Sequence, residues 1–193
     1  MESPESTHIF KLQNKNNEDF VVHRIHAKDG WSLCDFIVSN EHRLTEFFPK
    51  TRAANLTPDL SKRFAEIKSK QFDKKEEFLF VLKPEDSRRI IGMIYIKELN
   101  WETEQGEFAY CIDYNYEGQG MTTALVSRLS EYAFESLGLK TLQIIAHKSN
   151  ISSVRVAEKS NFTWVKTLSK SFTQQGKEAL DMELYERTIV TDN

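Results

Sequence analysis

Cysteine is scarce in this chain, and the features of a secreted or membrane-spanning protein are missing. The 193 residues include two cysteines. Cys34 and Cys111 both lie in apolar stretches, which indicates buried free thiols of a reducing compartment. No apolar run is long enough to cross a bilayer, and the polar start at residues 1–4 is not typical of a signal peptide. We therefore expect a cytoplasmic protein without a membrane partner.

A strong excess of one charge is also missing. The 26 lysines and arginines nearly balance the 29 aspartates and glutamates, which leaves a net charge of −3. This balance gives no electrostatic footprint for direct binding to nucleic acid. The length and the hydrophobic content of 39% favour a single globular domain over residues 1–193, with residues 1–19 as a loosely ordered leader.

The order of apolar stretches and turn residues predicts a mixed α+β fold. A helix is expected from Asp29 to near Pro49, and a second from Thr57-Pro58 with Leu60, Phe64 and Ile67 facing inward. Strands are predicted at 20–25, 77–83, 90–99, 106–113, 142–146, 162–168 and 179–185, the last two as a hairpin around Gly176, and further helices at 121–137 and 150–160. The helix over 121–137 is expected to end in a left-handed cap at Gly138 and to carry one apolar stripe, formed by Met121, Leu125, Leu129, Ala133 and Leu137. The result is a mainly antiparallel central sheet with helices on both faces. Its one parallel neighbourhood comes from the strand–helix–strand step over 106–146.

The most informative stretch runs from Tyr110 to Leu125 and predicts a buried strand, a glycine-bearing loop and a long helix. Gly118 and Gly120 allow the backbone to approach a bulky group closely. The amides that begin the helix have no carbonyl partner four residues back, and such donors form a seat for phosphate. The P-loop pattern is absent, and the dinucleotide pattern G-x-G-x-x-G fails at Thr123. Taken alone, the loop also fits a tight turn that binds nothing.

A second motif follows the next predicted strand, at His147-Lys148-Ser149-Asn150-Ile151-Ser152-Ser153-Val154-Arg155-Val156-Ala157-Glu158-Lys159. Together with Tyr116-Glu117-Gly118-Gln119-Gly120-Met121-Thr122-Thr123-Ala124-Leu125, it resembles the GNAT superfamily of acetyl-CoA-dependent N-acetyltransferases. The resemblance is to the branch that contains the bacterial ribosomal-protein N-terminal (alanine or serine) acetyltransferases, the RimJ/RimL-like enzymes. It is strong from about residue 107 to 162 and diffuse elsewhere.

Three positions depart from the family pattern. The phosphate loop of the superfamily usually reads Q/R-x-x-G-x-G/A, whereas here Glu117 holds the first position and Thr122 the last. Glu117 would place a negative charge near a diphosphate, which is unfavourable unless the side chain points to solvent. Asn161 stands where the family has glycine, and asparagine is the best other choice for a helix-terminating residue with positive φ.

The resemblance implies direct transfer of an acetyl group from acetyl-CoA to a primary amine, without a metal, and a splayed strand pair that receives the pantetheine arm. The implied cofactor-binding residues are Cys111, Ile112, Asp113, Gly118, Gln119, Gly120, Met121, Thr122, Thr123, Asn150 and Ser153. Glu107 is the candidate base, and Ser153 is the candidate proton donor to the leaving thiolate. From the residues alone, Glu107 is equally a solvated carboxylate, and Asn150 and Ser153 are equally caps of a helix.

The acceptor stays open at this stage. The branch implies a protein N-terminal α-amino group. Small amines such as polyamines, amino sugars or antibiotics are the alternatives within the enzyme class. A silent acyl-CoA-binding sensor is the alternative outside it, since the irregular loop with Glu117 would suit a protein that binds without turnover. The sequence leaves an oligomer possible.

Overall fold

The computed structural model describes residues 8–173, 176 and 178–189. Its strands are β1 Phe10–Gln13, β2 Asp19–Arg24, β3 Phe78–Pro84, β4 Gly92–Asn100, β5 Gln105–Ile112, β6 Thr141–Ala146, β7 Thr163–Thr173 and β8 Ala179–Thr188. Its α-helices are α1 Gly30–Ser39, α2 Glu41–Phe47, α3 Pro49–Ala53, α4 Pro58–Asp73, α5 Met121–Tyr132 and α6 Ile151–Lys159. The strands pair in the order β1-β2-β3-β4-β5-β6-β8-β7, which confirms the predicted mixed fold class. Among the described helices, none is both long and apolar enough to span a membrane.

The chain divides into two compact units, residues 1–95 with 110–121 and residues 96–109 with 122–193. Strands β4 and β5 therefore contribute to both units, and a single domain over the whole chain stays a prediction. Residues 1–7 of the expected leader lie outside the described residues. Residues 10–13 of that leader form β1, which pairs antiparallel with β2.

Close packing of α1 on α4 shapes the first unit. A Cβ atom added to Gly30 would lie 2.7 Å from the Cα atom of Lys62, so the two backbones approach each other too closely for a larger residue. Small side chains accordingly form the buried side of α4, at Ser61 and Ala65. The predicted inward face was wrong at two of its three residues, because Leu60 is 40% exposed and Ile67 is 56% exposed, whereas Phe64 is half-buried.

The helix predicted from Asp29 to Pro49 is also wrong in its extent, because it is interrupted at Asn40. Asn40 has φ −111° and ψ 17°, outside the helical region, and separates α1 from α2. Its side chain is fully buried, and Nδ2 donates to the carbonyl oxygen of Phe36 at 2.9 Å. The side chain is a second donor to that carbonyl, which also accepts from the backbone amide of Asn40 at 3.2 Å, and α1 ends where the dihedral angles of Asn40 leave the helical region. Pro49 begins α3, as proline at a first helical position commonly does.

The second unit contains α5, and its end confirms a predicted cap. Gly138 has φ 77°, and the next amide, of Leu139, donates to the carbonyl of Ala133 at 3.1 Å. A π-helical turn over Ala133–Leu137 precedes this cap. Phe134 is buried in addition to the predicted stripe, as are Val126 and Ser130, which precede it at four-residue spacing.

The remaining strands of the second unit follow the prediction. β5 and β6 pair in parallel, from Gln105 opposite Thr141 to Phe108 opposite Ile144. β7 and β8 form the expected antiparallel hairpin, although both strands extend further than predicted. Gly176 has φ 77° in the connection, and residues 174, 175 and 177 lie outside the described residues.

Candidate functional site

The predicted site residues fall into two groups. Cys111, Ile112, Asp113, Gly118, Gln119, Gly120 and Met121 belong to the first unit, and Glu107, Thr122, Thr123, Asn150 and Ser153 belong to the second.

The glycine loop has the backbone that its sequence requires. Gly118 has φ 69° and Gly120 has φ 79°, in the left-handed region that side chains with a Cβ disfavour. A Cβ atom on Gly118 would have no described atom within 4 Å, and one on Gly120 would meet only Cε of Lys15, at 4.0 Å. The loop therefore leaves open space over its backbone, as a phosphate seat needs.

α5 begins directly after the second glycine, at Met121. The first amides of an α-helix have no intrahelical acceptor and carry the positive end of the helix dipole. The Gln119 side chain is already engaged, since Oε1 accepts from Asn14 at 3.1 Å and Nε2 donates to the carbonyl of Asn115 at 2.9 Å. Any contribution of Gln119 to a phosphate would thus come from its backbone amide.

Asp113 holds the turn between β5 and the loop. Its side chain is 1% exposed, Oδ2 accepts from Arg89 at 2.9 Å, and Oδ1 accepts from the amide of Asn115 at 3.0 Å. Its own amide donates to the carbonyl of Ile91 at 2.7 Å. These bonds make Asp113 a structural anchor of the loop, whose carboxylate is directed into the protein.

Glu117, the unexpected acid of the loop, is paired. Its Oε1 accepts from Nη2 of Arg43 in α2, and Nη1 of the same arginine donates to the carbonyl of Ile112 at 2.6 Å. Sequence reasoning missed Arg43, because 74 positions separate it from Glu117 and no local pattern connects the two. The charge that was expected to oppose phosphate binding has a cationic partner.

β5 continues beyond its parallel pairing. The pairing with β6 ends at Phe108, whereas β5 runs on to Ile112. β6 also continues, and its residues Ile145 and Ala146 pair with β8. The predicted site residues Cys111 and Ile112 lie in the part of β5 past this ladder. Burial raises the pKa of the Cys111 thiol to about 11, while Arg43 acts in the opposite direction, so this thiol is protonated at neutral pH.

Glu107, the candidate base, lies within the paired part of β5. Its Oε1 accepts from Nζ of Lys97 on β4 at 2.6 Å, and the glutamate side chain is 15% exposed. Glu107 is therefore a largely buried, ion-paired carboxylate, which corrects the alternative of a solvated one. A proton taken up by Glu107 would change the charge balance of this pair.

Asn150 and Ser153 begin α6. The Oδ1 atom of Asn150 accepts from the amide of Ser153 at 3.2 Å, which confirms the predicted N-cap. Asn161, after the same helix, has φ 64°, which confirms the positive φ predicted there. The side chain of Asn150 is thus engaged in capping α6, and the backbone of Asn150 remains the part that could contact a ligand.

A cavity of about 540 Å³ lies elsewhere in the second unit. Its lining includes Glu131, Phe134, Glu186 and Arg187 and contains none of the predicted site residues. Within this lining, Arg187 pairs with Glu131, and its guanidinium carbon lies 5.5 Å from the ring centre of Phe134. The cavity is therefore walled by side chains that already bind one another.

Comparison with known proteins gives a family match. A family model described as an acetyltransferase (GNAT) domain matches residues 20–163. A Bacillus subtilis (strain 168) protein that carries the name of a ribosomal N-acetyltransferase, YdaF, is 28% identical over 156 residues, which cover 77% of this chain and 80% of that protein. The spermidine N(1)-acetyltransferase of Escherichia coli (strain K12) is 24% identical over 104 residues, which cover 53% of this chain and 56% of that enzyme.

The fold has close structural neighbours. The ribosomal-protein-S5-alanine acetyltransferase of Vibrio fischeri superposes with a TM-score of 0.82 over 93% of this chain and 96% of that chain, at 19% sequence identity. An identity this low supports the shared fold and leaves the substrate to be argued from the residues.

Proposed function

The chain belongs to the GNAT family of N-acetyltransferases, as its sequence predicted, and we propose that it acetylates a protein N-terminal α-amino group of the ribosomal-protein type. Acetyltransferases of this family use acetyl-CoA. The observation that carries the proposal is the open glycine loop. Gly118 and Gly120 hold left-handed backbone with room above it, so the residues present fit a diphosphate. An enzyme of this kind would work in the cytoplasm.

The cofactor would be held by backbone groups of the loop and of α6. The amides of residues 118–123 would bind the diphosphate, and the end of β5 and the start of α6 would bind the pantetheine arm and the thioester. Acetyl-CoA supplies the activated acetyl group. Holding an amine against that carbonyl can contribute roughly 7–11 kcal/mol, which exceeds the effect of a single proton transfer.

Two side chains would move protons. Glu107 would accept a proton from the attacking amine, directly or through a water. Ser153 Oγ would donate a proton to the departing sulfur of CoA and regain one from solvent. General-base help of this kind is worth roughly 10²–10⁴-fold. An α-amine with a pKa of about 7.7–8.0 is about one-tenth neutral at neutral pH, whereas a lysine amine near 10.4 is neutral under about a thousandth of the time. An N-terminal α-amine therefore needs less help from Glu107 than a lysine amine would.

The test uses matched acceptors and the intact chain. Release of free CoA thiol would be followed with a peptide that has a free N-terminus and no lysine, with the same peptide N-acetylated and carrying a lysine, and with spermidine. We expect turnover on the first peptide and little on the other two. Turnover on spermidine alone would assign a small-amine acceptor. Calorimetric binding of acetyl-CoA without turnover on any amine would favour a sensor, and no binding would overturn the function.

A further inference from the structure

Arg43 connects two points of the chain that bracket the turn into the loop. One arm of its guanidinium donates to the Ile112 carbonyl at 2.6 Å, and the other pairs with the Glu117 carboxylate. Arginine can do this because its planar group carries donors in a fixed fork. A lysine at the same position would present one point charge and could not bridge both acceptors as well.

The junction between α1 and α2, at Asn40, makes a third contact with this turn. Oδ1 of the buried Asn40 accepts from the amide of Tyr114 at 3.4 Å. Asn40 and Arg43 thus hold the segment from Ile112 to Glu117. Arg89, in the segment just before β4, also binds this turn, through the carboxylate of Asp113. The course of the backbone into Gly118 depends on these side chains.

The charge of Glu117 makes this contact relevant to an anionic ligand. Its side chain is 46% exposed, and that of Arg43 is 28% exposed, so solvent screens the pair only in part. An unpaired carboxylate four residues before the start of α5 would repel a diphosphate bound at the amides there. The paired carboxylate presents no net charge there.

We propose that Arg43 is a positioning residue for cofactor binding, which neutralises Glu117 and fixes the turn that leads into the glycine loop. The proposal rests on the proposed function, since it assigns the loop to the diphosphate of acetyl-CoA. The basic or neutral residue that the family carries at the first loop position is replaced here by an acid whose partner comes from α2.

A mutant cycle tests the proposal by calorimetric titration with acetyl-CoA at low and high salt. Arg43→Met should weaken binding about 10-fold at low salt and less at high salt, because the exposed charge of Glu117 is then unscreened by a partner. Glu117→Gln should bind at least as tightly as the unsubstituted protein. The double variant should recover most of the loss, and KM for acetyl-CoA should rise in Arg43→Met with a smaller change in kcat.

Arg63→Met removes an exposed arginine from α4 and serves as the control, with unchanged affinity expected. Wild-type affinity in Arg43→Met would overturn the role of Arg43, and a double variant as weak as Arg43→Met would overturn the neutralisation of Glu117 as its part in binding, while both results leave the proposed function intact. Failure of the unsubstituted protein to bind acetyl-CoA would overturn both. If Arg43→Met does not fold, Arg43→Gln, which keeps a donor for the Ile112 carbonyl, is measured in its place against the same two outcomes.

Discussion

Alanine substitution at three glycines can separate backbone strain from loss of cofactor binding. Gly118, Gly120 and Gly138 have φ values of 69°, 79° and 77°, so all three occupy the same left-handed region. The first two lie in the glycine loop, and the third caps α5. The three alanine variants should lose similar amounts of stability, but only the two in the glycine loop should also lose affinity for the cofactor.

The stability cost follows from the surroundings of each glycine. A Cβ atom at Gly118 or Gly138 would have no described neighbour within 4 Å, and at Gly120 the nearest would be Cε of Lys15 at 4.0 Å. Steric overlap therefore contributes little, and left-handed backbone is the main term, at roughly 1–2 kcal/mol for alanine, partly offset by reduced freedom of the unfolded chain. We expect each substitution to lower the free energy of unfolding by about 1 kcal/mol, which corresponds to a fall in Tm of about 2–4 °C.

The three alanine variants should differ in their affinity for acetyl-CoA. Urea denaturation measures the stability of the three variants, and calorimetric titration measures their affinity for acetyl-CoA. Gly138→Ala should bind like the unsubstituted protein. Gly118→Ala and Gly120→Ala should bind at least about 10-fold more weakly, since a methyl group would occupy space that the diphosphate needs, and Gly120→Glu should not bind measurably. Equal affinity in all three alanine variants would refute the assignment of the loop.

Three further predictions use other parts of the structure. Glu107→Gln should lower kcat by about 10²-fold, mainly at low pH where the amine is most protonated, and an unchanged pH–rate profile would exclude Glu107 as the base. Gly30→Ala should lower the free energy of unfolding by about 2 kcal/mol or more because of the 2.7 Å approach to Lys62, and the exposed Val38→Ala, measured by the same denaturation, should stay within about 0.5 kcal/mol. Burial, and to a lesser extent Lys83, lowers the pKa of His23 below its ordinary 6.5, so the unfolded state binds the extra proton and stability should fall as pH drops through about 6.5. His23→Gln should flatten that decline in Tm, and an identical decline would assign it to other groups.

The parts of the fold that could be predicted are those that neighbouring residues encode. The N-cap at Asn150, the left-handed cap at Gly138 and the positive φ at Asn161 each depend on a few adjacent residues and on the conformations that their side chains permit. The glycine loop belongs to the same class, since its two left-handed residues and the start of α5 are consecutive in sequence. Local patterns of this kind also carried the family resemblance.

The parts that could not be predicted depend on residues far apart in sequence. The buried side of α4 is set by the approach of Gly30 to Lys62, which favours Ser61 and Ala65 over the larger apolar residues nearby. Without knowledge of that contact, hydrophobicity alone predicts Leu60 and Ile67 as buried residues of α4. Glu117 was likewise judged by its neighbours in the loop, although its partner Arg43 lies 74 positions away.

The interruption at Asn40 and the pairing of Glu117 are two aspects of one arrangement. Asn40 stands at the end of α1, where its Nδ2 donates to the Phe36 carbonyl and its Oδ1 accepts from the amide of Tyr114. Arg43, less than one helical turn further on, binds Ile112 and Glu117. The two residues therefore differ in what their loss would do. Removing the buried Asn40 side-chain amide takes an acceptor from the amide of Tyr114, at a cost of about 1–3 kcal/mol in stability, although the carbonyl of Phe36 keeps the backbone amide of Asn40 at 3.2 Å. Loss of the partly exposed Arg43 would mainly change the charge that an anionic ligand meets.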